Sequence, residues 1–406
     1  MPVSYVQHRT NRYDATVPRG LLPCAVAVNS SETKGRPGAL YLHVPFCPSI
    51  CPYCDFHKMR RNERLVAGYL DRLERESAEL AGVHGGKLDT VYLGGGTPSM
   101  LEDAELARIV RILEADWGFP GSLETTLEAD PLTFDERRLE LFRELGFTRL
   151  SIGLQSTADA TLAFLGRKHD GAEGLAAVRM ALEAGFDVSA DLITAVPGQD
   201  TERDLHTLAS TGVNHVSVYG LIVEPFTPFA LRGVRVDDDK AADDFALASE
   251  VLASYGLLRY EVSNHARPGA ESRHNRTYWH GGWYLALGPS AASFLPHDEG
   301  VGIRRTNAPI RTWLLGAPGE AQVVGAVEFT LEMLMTGLRT REGADLGRLV
   351  RLGGSDPRTL LAAPLERMVA GGLLELGGDT LRATPEGLAV LNGVLREFFA
   401  AAEGLR

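Results

Sequence analysis

Six times between Leu40 and Ile222 a short apolar run gives way to a longer stretch whose apolar residues recur three or four apart. That alternation constrains the chain more than any other feature, because strand and helix units in series are the rhythm of a parallel sheet covered by helices. The predicted strands are Leu40 to Val44, Thr90 to Leu93, Glu124 to Glu128, Arg149 to Leu154, Asp187 to Ile193 and His215 to Ile222. Leu65, Tyr69, Leu73 and Leu80 mark the inner face of one intervening helix, with Glu and Arg on its outer face. The expected fold class is α/β, a partial (β/α)6 barrel of the TIM type over residues 40–225. In such sheets the side chains at the carboxyl ends of the strands face one crevice, and chemistry is sought there.

The flanking segments read differently. Residues 1–39 are rich in Pro, Gly, Ser and Thr around one apolar patch, Leu21 to Val28, and form an irregular extension. Over 226–325 the pattern loosens into a helix from about Lys240 to Tyr255, a strand around Arg259 to Val262 and a Gly-rich stretch through Gly288, elements laid against the barrel's open side. Residues 326–406 give three helices, an apolar hairpin from Gly372 to Leu381 and a long helix, an α+β module like a winged helix. Its Arg residues are balanced or exceeded by Glu and Asp, so the charge needed to hold phosphates is missing and a packing or partner module is favoured.

Composition narrows the function classes. With 406 residues, 44% of them hydrophobic and 23% charged, the chain has ample material for a large core. A net charge of -12 argues against general affinity for nucleic acid or anionic lipid. No run of eighteen apolar residues crosses a bilayer, which leaves peripheral membrane contact open, and the first residues lack the apolar core of a signal peptide. Three of the four cysteines sit together, a pattern of a reducing cytoplasm rather than of a disulfide-stapled secreted domain.

Those three, Cys47, Cys51 and Cys54, form a CxxxCxxC loop directly after the first strand. Three thiolates for the four irons of a [4Fe-4S] cluster leave one iron open to a ligand that is not protein. Fully stretched, Cys47 to Cys54 would span about 23 Å, so the loop must curl, and Pro48 and Pro52 stiffen that curl. Zinc is the minority alternative, since zinc sites pair CxxC with a second ligand pair, and here the remaining cysteine, Cys24, lies upstream in the loose extension. Cys24 reads most simply as a free thiol, with a fourth-ligand role left open.

Gly94-Gly95-Gly96-Thr97-Pro98 follows the second strand, where glycines let backbone approach a ligand closely. Glu128, Gln155, Arg167 and Asp191 lie at or just past later strands; singly, each is as well explained as a helix cap or surface ion pair. In this order the cysteine loop, the glycine run and these polar residues resemble the radical S-adenosylmethionine superfamily, in its coproporphyrinogen oxidase-like branch. The resemblance implies that S-adenosylmethionine chelates the open iron and is held by Tyr41, Tyr53, Gly95, Gly96, Thr97, Glu128, Gln155, Arg167 and Asp191. Three positions depart from the family pattern: Thr157 where an aromatic is usual, Ala195 for a glycine, and Ala292 for a histidine, the last removing a polar contact.

His274-Asn275 followed by Tyr278-Trp279 makes an HNxxYW pattern, similar to that of HemW-type haem chaperones. Histidine can ligate haem iron, and Tyr and Trp offer flat apolar faces to a porphyrin; the plainer alternative is a satisfied histidine capping a helix beside two core aromatics. The resemblance spans Leu40 to the C-terminus. It implies haem held at His274, Asn275, Tyr278 and Trp279, delivery to haem-requiring apoproteins, and a haem-linked homodimer. The competing expectation is an oxygen-independent coproporphyrinogen III oxidase, an enzyme that decarboxylates propionate side chains. That family carries a further cysteine two residues past the third, where this chain has Phe56, and an N-terminal region unlike residues 1–39.

Overall fold

A computed structural model describes residues 35–119 and 124–403. Strands β1 (Ala39–Val44), β2 (Thr90–Gly95), β3 (Glu124–Ala129), β4 (Arg149–Gln155), β5 (Asp187–Thr194) and β6 (His215–Gly220) lie side by side in that order, each parallel to the next. Helices α1 (Glu63–His84), α2 (Asp103–Trp117), α3 (Glu136–Glu144), α4 (Gly171–Glu183), α5 (Thr201–Ala209) and α6 (Asp238–Ser254) follow the six strands in turn.

The strands alternate with period two, which sorts their residues between faces. Leu40, Leu42 and Val44 of β1, Val91 and Leu93 of β2, and Val188, Ala190 and Leu192 of β5 belong to one apolar core with the helices. The other face turns inward and is polar: Tyr41, His43 and Tyr92 face a large cavity, while Thr126, Ser151, Ser189, Asp191 and Ser217 face a small one. The helices fit the outer face. In α1, capped by the Asn62 side chain on the Leu65 N–H, Tyr69 and Leu73 are fully buried, whereas Leu65 and Leu80 are partly buried. Truncating Leu73 to Ala would cost about 2–5 kcal/mol.

The sheet does not close on itself. Beyond β6 it gains two short antiparallel strands, β7 (Leu258–Arg259) and β8 (Asn264–Ala266), and after α7 (Arg273–Trp279) the chain returns to the other edge. There β9 (Tyr284–Leu287) pairs parallel with β1, and β10 (Ala292–Pro296), β11 (Gly302–Thr306) and β12 (Glu320–Val324) extend it antiparallel. The result is a twelve-stranded sheet in the order β12-β11-β10-β9-β1-β2-β3-β4-β5-β6-β8-β7. Segment 226–325 thus adds strands to both edges of the barrel sheet.

Two strand expectations need correction. The run His215 to Ile222 leaves the sheet at Gly220, and Arg259 to Val262 is broken: β7 ends at Arg259, Glu261 bridges to Thr340, and the Val262 N–H donates to Arg339. Its partners lie in the C-terminal segment, which no local pattern reveals.

From α8 (Ala326–Gly337) to α9 (Leu391–Glu403) the chain packs a second core around Leu334, Leu338, Leu381, Leu395 and Phe398. Its small sheet joins Ala344–Asp345, Thr380–Ala383 and Leu374–Gly377, and the hairpin turns at Gly378, whose φ of 60° suits glycine. Among the described residues no helix is long and apolar enough to cross a membrane. The expected N-terminal extension and Cys24 lie outside the described residues, save the last few before β1.

Candidate functional site

The cysteine loop leaves the carboxyl end of β1 and is held against the turn after β2 by main-chain contacts. The Gly96 N–H donates to the Val44 carbonyl at 2.8 Å and the Thr97 N–H to the Phe46 carbonyl at 2.7 Å. A Cβ built on Gly96 would meet the Phe46 oxygen at 2.5 Å and the Val44 oxygen at 2.7 Å. The close approach foreseen for the glycine run is therefore, at Gly96, an approach to the chain's own cysteine segment. Gly95 has a φ of 105°, and its missing Cβ makes room for the His43 ring.

His43, which sequence reading passed over, ties these parts together. Its Nδ1 lies 3.0 Å from the Tyr41 hydroxyl and its Nε2 2.8 Å from the His57 carbonyl, just past the last cysteine. Burial lowers its pKa to about 4, which keeps the ring neutral. The available signal was its position two residues after Tyr41 on the same strand face.

All three cysteines are free thiols; Cys47 is buried and the other two are half-buried. Burial pushes the Cys47 thiol up to about 12, against a hydrogen bond from Thr97, and burial also raises Cys54. Such thiols keep their protons in an apoprotein and surrender them to a soft metal. The Arg167 guanidinium stands 3.7 Å from the Cys51 sulfur and donates to Asp130 and to the Gly153 carbonyl, both at 2.7 Å. Burial works against its charge, yet Tyr53, Asp130 and Cys51 together raise its pKa. Tyr53, its hydroxyl pKa raised by burial, packs on Phe229 beneath the loop. Among the described residues no three His, Cys, Asp or Glu side chains converge on one point where a single ion could sit. Three free thiols on one curled loop, beside the Arg167 cation, suit the donor set of an iron–sulfur cluster.

Deeper in the barrel, Glu128 accepts from the Gly95 N–H at 2.8 Å and from the Tyr92 hydroxyl at 2.9 Å. Burial raises its pKa to about 7 despite those two donors. Asp191, also raised by burial, is hydrogen-bonded by Ser217 and Ser151 and lines a cavity of about 20 Å³, room for a single water. Gln155 ends β4 at a register shift with a φ of 69°, a left-handed conformation that is costly for a side-chain-bearing residue. Gly95, Gly96, Thr97, Glu128, Gln155 and Arg167 are thus gathered at the carboxyl end of the sheet; Tyr41 and Asp191 lie further down, in mid-strand.

The HNxxYW segment is α7, and it sits at the opposite end. Glu124, the first residue of β3, accepts the N–H groups of Arg273 and His274. The His274 Nδ1 is 2.9 Å from the hydroxyl of Thr90, the first residue of β2, and its Nε2 is 2.7 Å from the Tyr278 hydroxyl. Only 1% of His274 is exposed, and burial lowers its pKa to about 3. Asn275 donates its N–H to Ser272, while its Oδ1 is buried without a partner; Trp279 packs edge-on to Tyr260. Along β2, Thr90 and Gly95 are separated by about 17 Å at a strand rise of roughly 3.3 Å.

One cavity of about 860 Å³ spans that distance. Gly95 and His43 line one end, His274, Tyr278 and Trp279 the other, and Tyr41 and Tyr92 lie between them. The β10 to β12 extension closes a side with Phe294 and Arg304, and α8 contributes Phe329, Glu332, Met333 and Thr336, one helical face by spacing. Ala292, which stands where the family pattern has histidine, also lines this cavity, as does Ser290 with a φ of 57°. Arg304, Arg339 and Glu332 were not foreseen, because Arg304 depends on strands joining the far edge of the sheet, and Glu332 and Arg339 on the docking of the C-terminal segment against the barrel.

Residues 41–210 match the radical SAM superfamily and residues 327–390 the HemN C-terminal domain. The haem chaperone HemW of Mycobacterium tuberculosis is 34% identical over 383 residues, covering 89% of this chain and 95% of that protein. The haem chaperone HemW of Escherichia coli is 31% identical over 377 residues, covering 90% and 99%. The mouse protein named radical S-adenosyl methionine domain-containing protein 1, mitochondrial, is 35% identical over 396 residues, covering 90% and 88%. In solved structures, coproporphyrinogen III oxidase (HemN) from Escherichia coli superposes with a TM-score of 0.77 over 91% of each chain at 22% identity, a likeness of fold.

Proposed function

The chain belongs to the HemW family of radical SAM proteins, and from that premise we propose that it is a cytoplasmic haem-trafficking protein. In this reading Cys47, Cys51 and Cys54 hold a [4Fe-4S] cluster, and Gly95, Gly96, Thr97, Glu128, Gln155, Arg167 and Asp191, with Tyr41 and Tyr53, surround S-adenosylmethionine. The cavity reaching to His274, Asn275, Tyr278 and Trp279 holds haem for delivery to haem-requiring apoproteins, with a haem-linked homodimer as the assembled form. When bound, the cluster supplies an electron to adenosylmethionine.

The chain's own residues do the holding. Arg167 sets a fixed positive charge beside Cys51, and His43 and Gly96 pin both ends of the loop. Glu128 offers a carboxylate already oriented by Tyr92 and Gly95. The observation that carries the reading is the single cavity of about 860 Å³, which runs from the cysteine side to the HNxxYW segment and is walled by aromatic side chains.

Measurements on one preparation test it. Anaerobic reconstitution should give four irons and four sulfides per chain, with an electron paramagnetic resonance signal that changes on adding adenosylmethionine. Titration with haem should build a Soret band, and mixing with an apo-haem protein should transfer it. Absence of a Soret change removes the haem reading. Stoichiometric zinc without sulfide removes the cluster. Conversion of coproporphyrinogen III to protoporphyrinogen IX would replace trafficking with decarboxylation.

A further inference from the structure

We infer that Arg304 is the carboxylate-reading group of the large cavity, placed to bind a propionate side chain of a porphyrin. This rests on the haem reading above and adds to it the part of the ligand that the protein recognises.

Two arginines line the cavity among the described residues, and they are held differently. Arg339 is locked: its Nε donates to Glu261 at 2.7 Å and its Nη2 to the same oxygen. Glu261 is 1% exposed and also accepts from the Ser263 N–H and the Asn264 amide. Among the described residues Arg304 makes one hydrogen bond, Nη2 to Glu332 at 2.7 Å, with Glu328 and Tyr284 near enough to favour its charge, and both side chains of the Arg304–Glu332 pair keep about a fifth of their surface open, 20% and 19%. Among the described residues its Nε and Nη1 make no hydrogen bond, and neither atom is fully buried. A guanidinium has five donors in a planar fork suited to bidentate carboxylate binding, so this one has donors to spare.

The surroundings specify the rest of the ligand. Phe294 and Arg304 are directly paired across β10 and β11, so they share a face, and the guanidinium lies 5.9 Å from the Phe294 ring. Phe329 stacks on Phe294 at 5.9 Å, and Met333 follows on the same face of α8. One cation with donors to spare, set in an aromatic and thioether wall, suits a ligand that is flat and apolar over most of its area and carries a carboxylate at its edge. Glu332 neutralises Arg304, whose unpaired buried charge would be costly, and among the described residues the guanidinium's Nε and Nη1 stay without a hydrogen bond.

The test compares haem with haem dimethyl ester, in which both propionates are capped, by Soret titration of the full-length protein. Wild type should bind haem more tightly than the ester by about ten- to hundredfold, the worth of a charge-assisted contact. Arg304→Gln should bind both alike, through loss of haem affinity with the ester unaffected, and Arg304→Lys should restore part of the preference. Glu332→Gln, which frees Arg304 from its internal partner, should widen the preference and keeps the test alive if Arg304→Gln fails to fold. Equal binding of the two ligands by wild type, or a preference that survives in Arg304→Gln, overturns the inference while leaving the haem reading standing. Failure of wild type to bind either ligand overturns both.

Discussion

The Nε2 of His274 and the hydroxyl of Tyr278, one helical turn apart on α7, sit 2.7 Å from each other, while the Nδ1 is taken by Thr90. With both ring nitrogens engaged and its pKa lowered to about 3 by burial, His274 is a neutral pin that docks α7 on the barrel. To ligate iron it must give up Tyr278. Tyr278→Phe should therefore cost about 1 kcal/mol of stability and raise haem affinity by freeing Nε2, read by thermal melting and Soret titration. His274→Ala, which strands two hydroxyls, should cost about 1–3 kcal/mol and abolish the Soret shift. Unchanged haem affinity in both variants would reduce His274 to its docking role.

Gly96→Ala should disrupt the cysteine loop. The new methyl would meet the Phe46 and Val44 oxygens and the Phe46 nitrogen, all within 2.8 Å, and backbone cannot step aside as a flexible side chain can. Iron and sulfide per reconstituted chain should fall steeply while the circular dichroism of the barrel persists. Gly82→Ala, in open space on α1, should load normally and melt slightly higher, since alanine outranks glycine in a helix by about 1 kcal/mol. Full cluster content in Gly96→Ala would show that the loop does not lean on the glycine run.

The parts of the site that sequence made legible are those fixed by chain-adjacent units. Cys47 and Gly96 had to meet because each follows a strand of the same first pair, and Glu128 and Gln155 were found by the same rule. Tyr41, His43 and Tyr92 carried a readable signal, polar residues at every second position inside apolar runs, which the structure turns into an inward face. Arg304 carried none: it approaches the cavity only because β9 pairs with β1, a contact between residues some 245 apart in the chain, Leu40 with Leu285. The same limit hid the docking of α7 at the amino ends of β2 and β3, where Thr90 and Glu124 hold it.

Glu128 gives a stability dependence on pH with a definite sign. Its carboxyl has an ordinary value of 4.5 and is raised by burial to about 7, so between those values the folded chain holds a proton that the unfolded chain has lost. Its contribution is fully present below 4.5 and is lost as pH rises through about 7, a swing on the order of 3 kcal/mol. His43 and His274, lowered by burial to about 4 and about 3, act the other way and cost stability as pH falls below 6.5. Glu128→Gln should lose the descent between pH 4.5 and 7 and keep the acid limb. Melting curves of the apoprotein at stepped pH check this, and a parallel offset between variant and wild type across the whole range would contradict it.

Arg167 should set the reduction potential of the cluster. Its guanidinium lies 3.7 Å from the Cys51 sulfur and 2.7 Å from Asp130, with only 10% of the side chain exposed, so water screens it weakly. A nearby positive charge and a hydrogen bond to sulfur both favour the reduced, more negative cluster. Arg167→Gln removes both and leaves Asp130 without its cation, a second push in the same direction. The midpoint potential, followed by spectroscopic redox titration under nitrogen, should drop by tens of millivolts. The apoprotein should also lose about 3 kcal/mol or more, because one partner of a largely buried ion pair is stranded. Asp130→Asn in the Arg167→Gln background should recover part of that stability and part of the potential, since it removes the stranded carboxylate. A potential that stays fixed across all three proteins would mean that the guanidinium only braces the end of β4 at Gly153 and has no electrostatic hold on the cysteine loop.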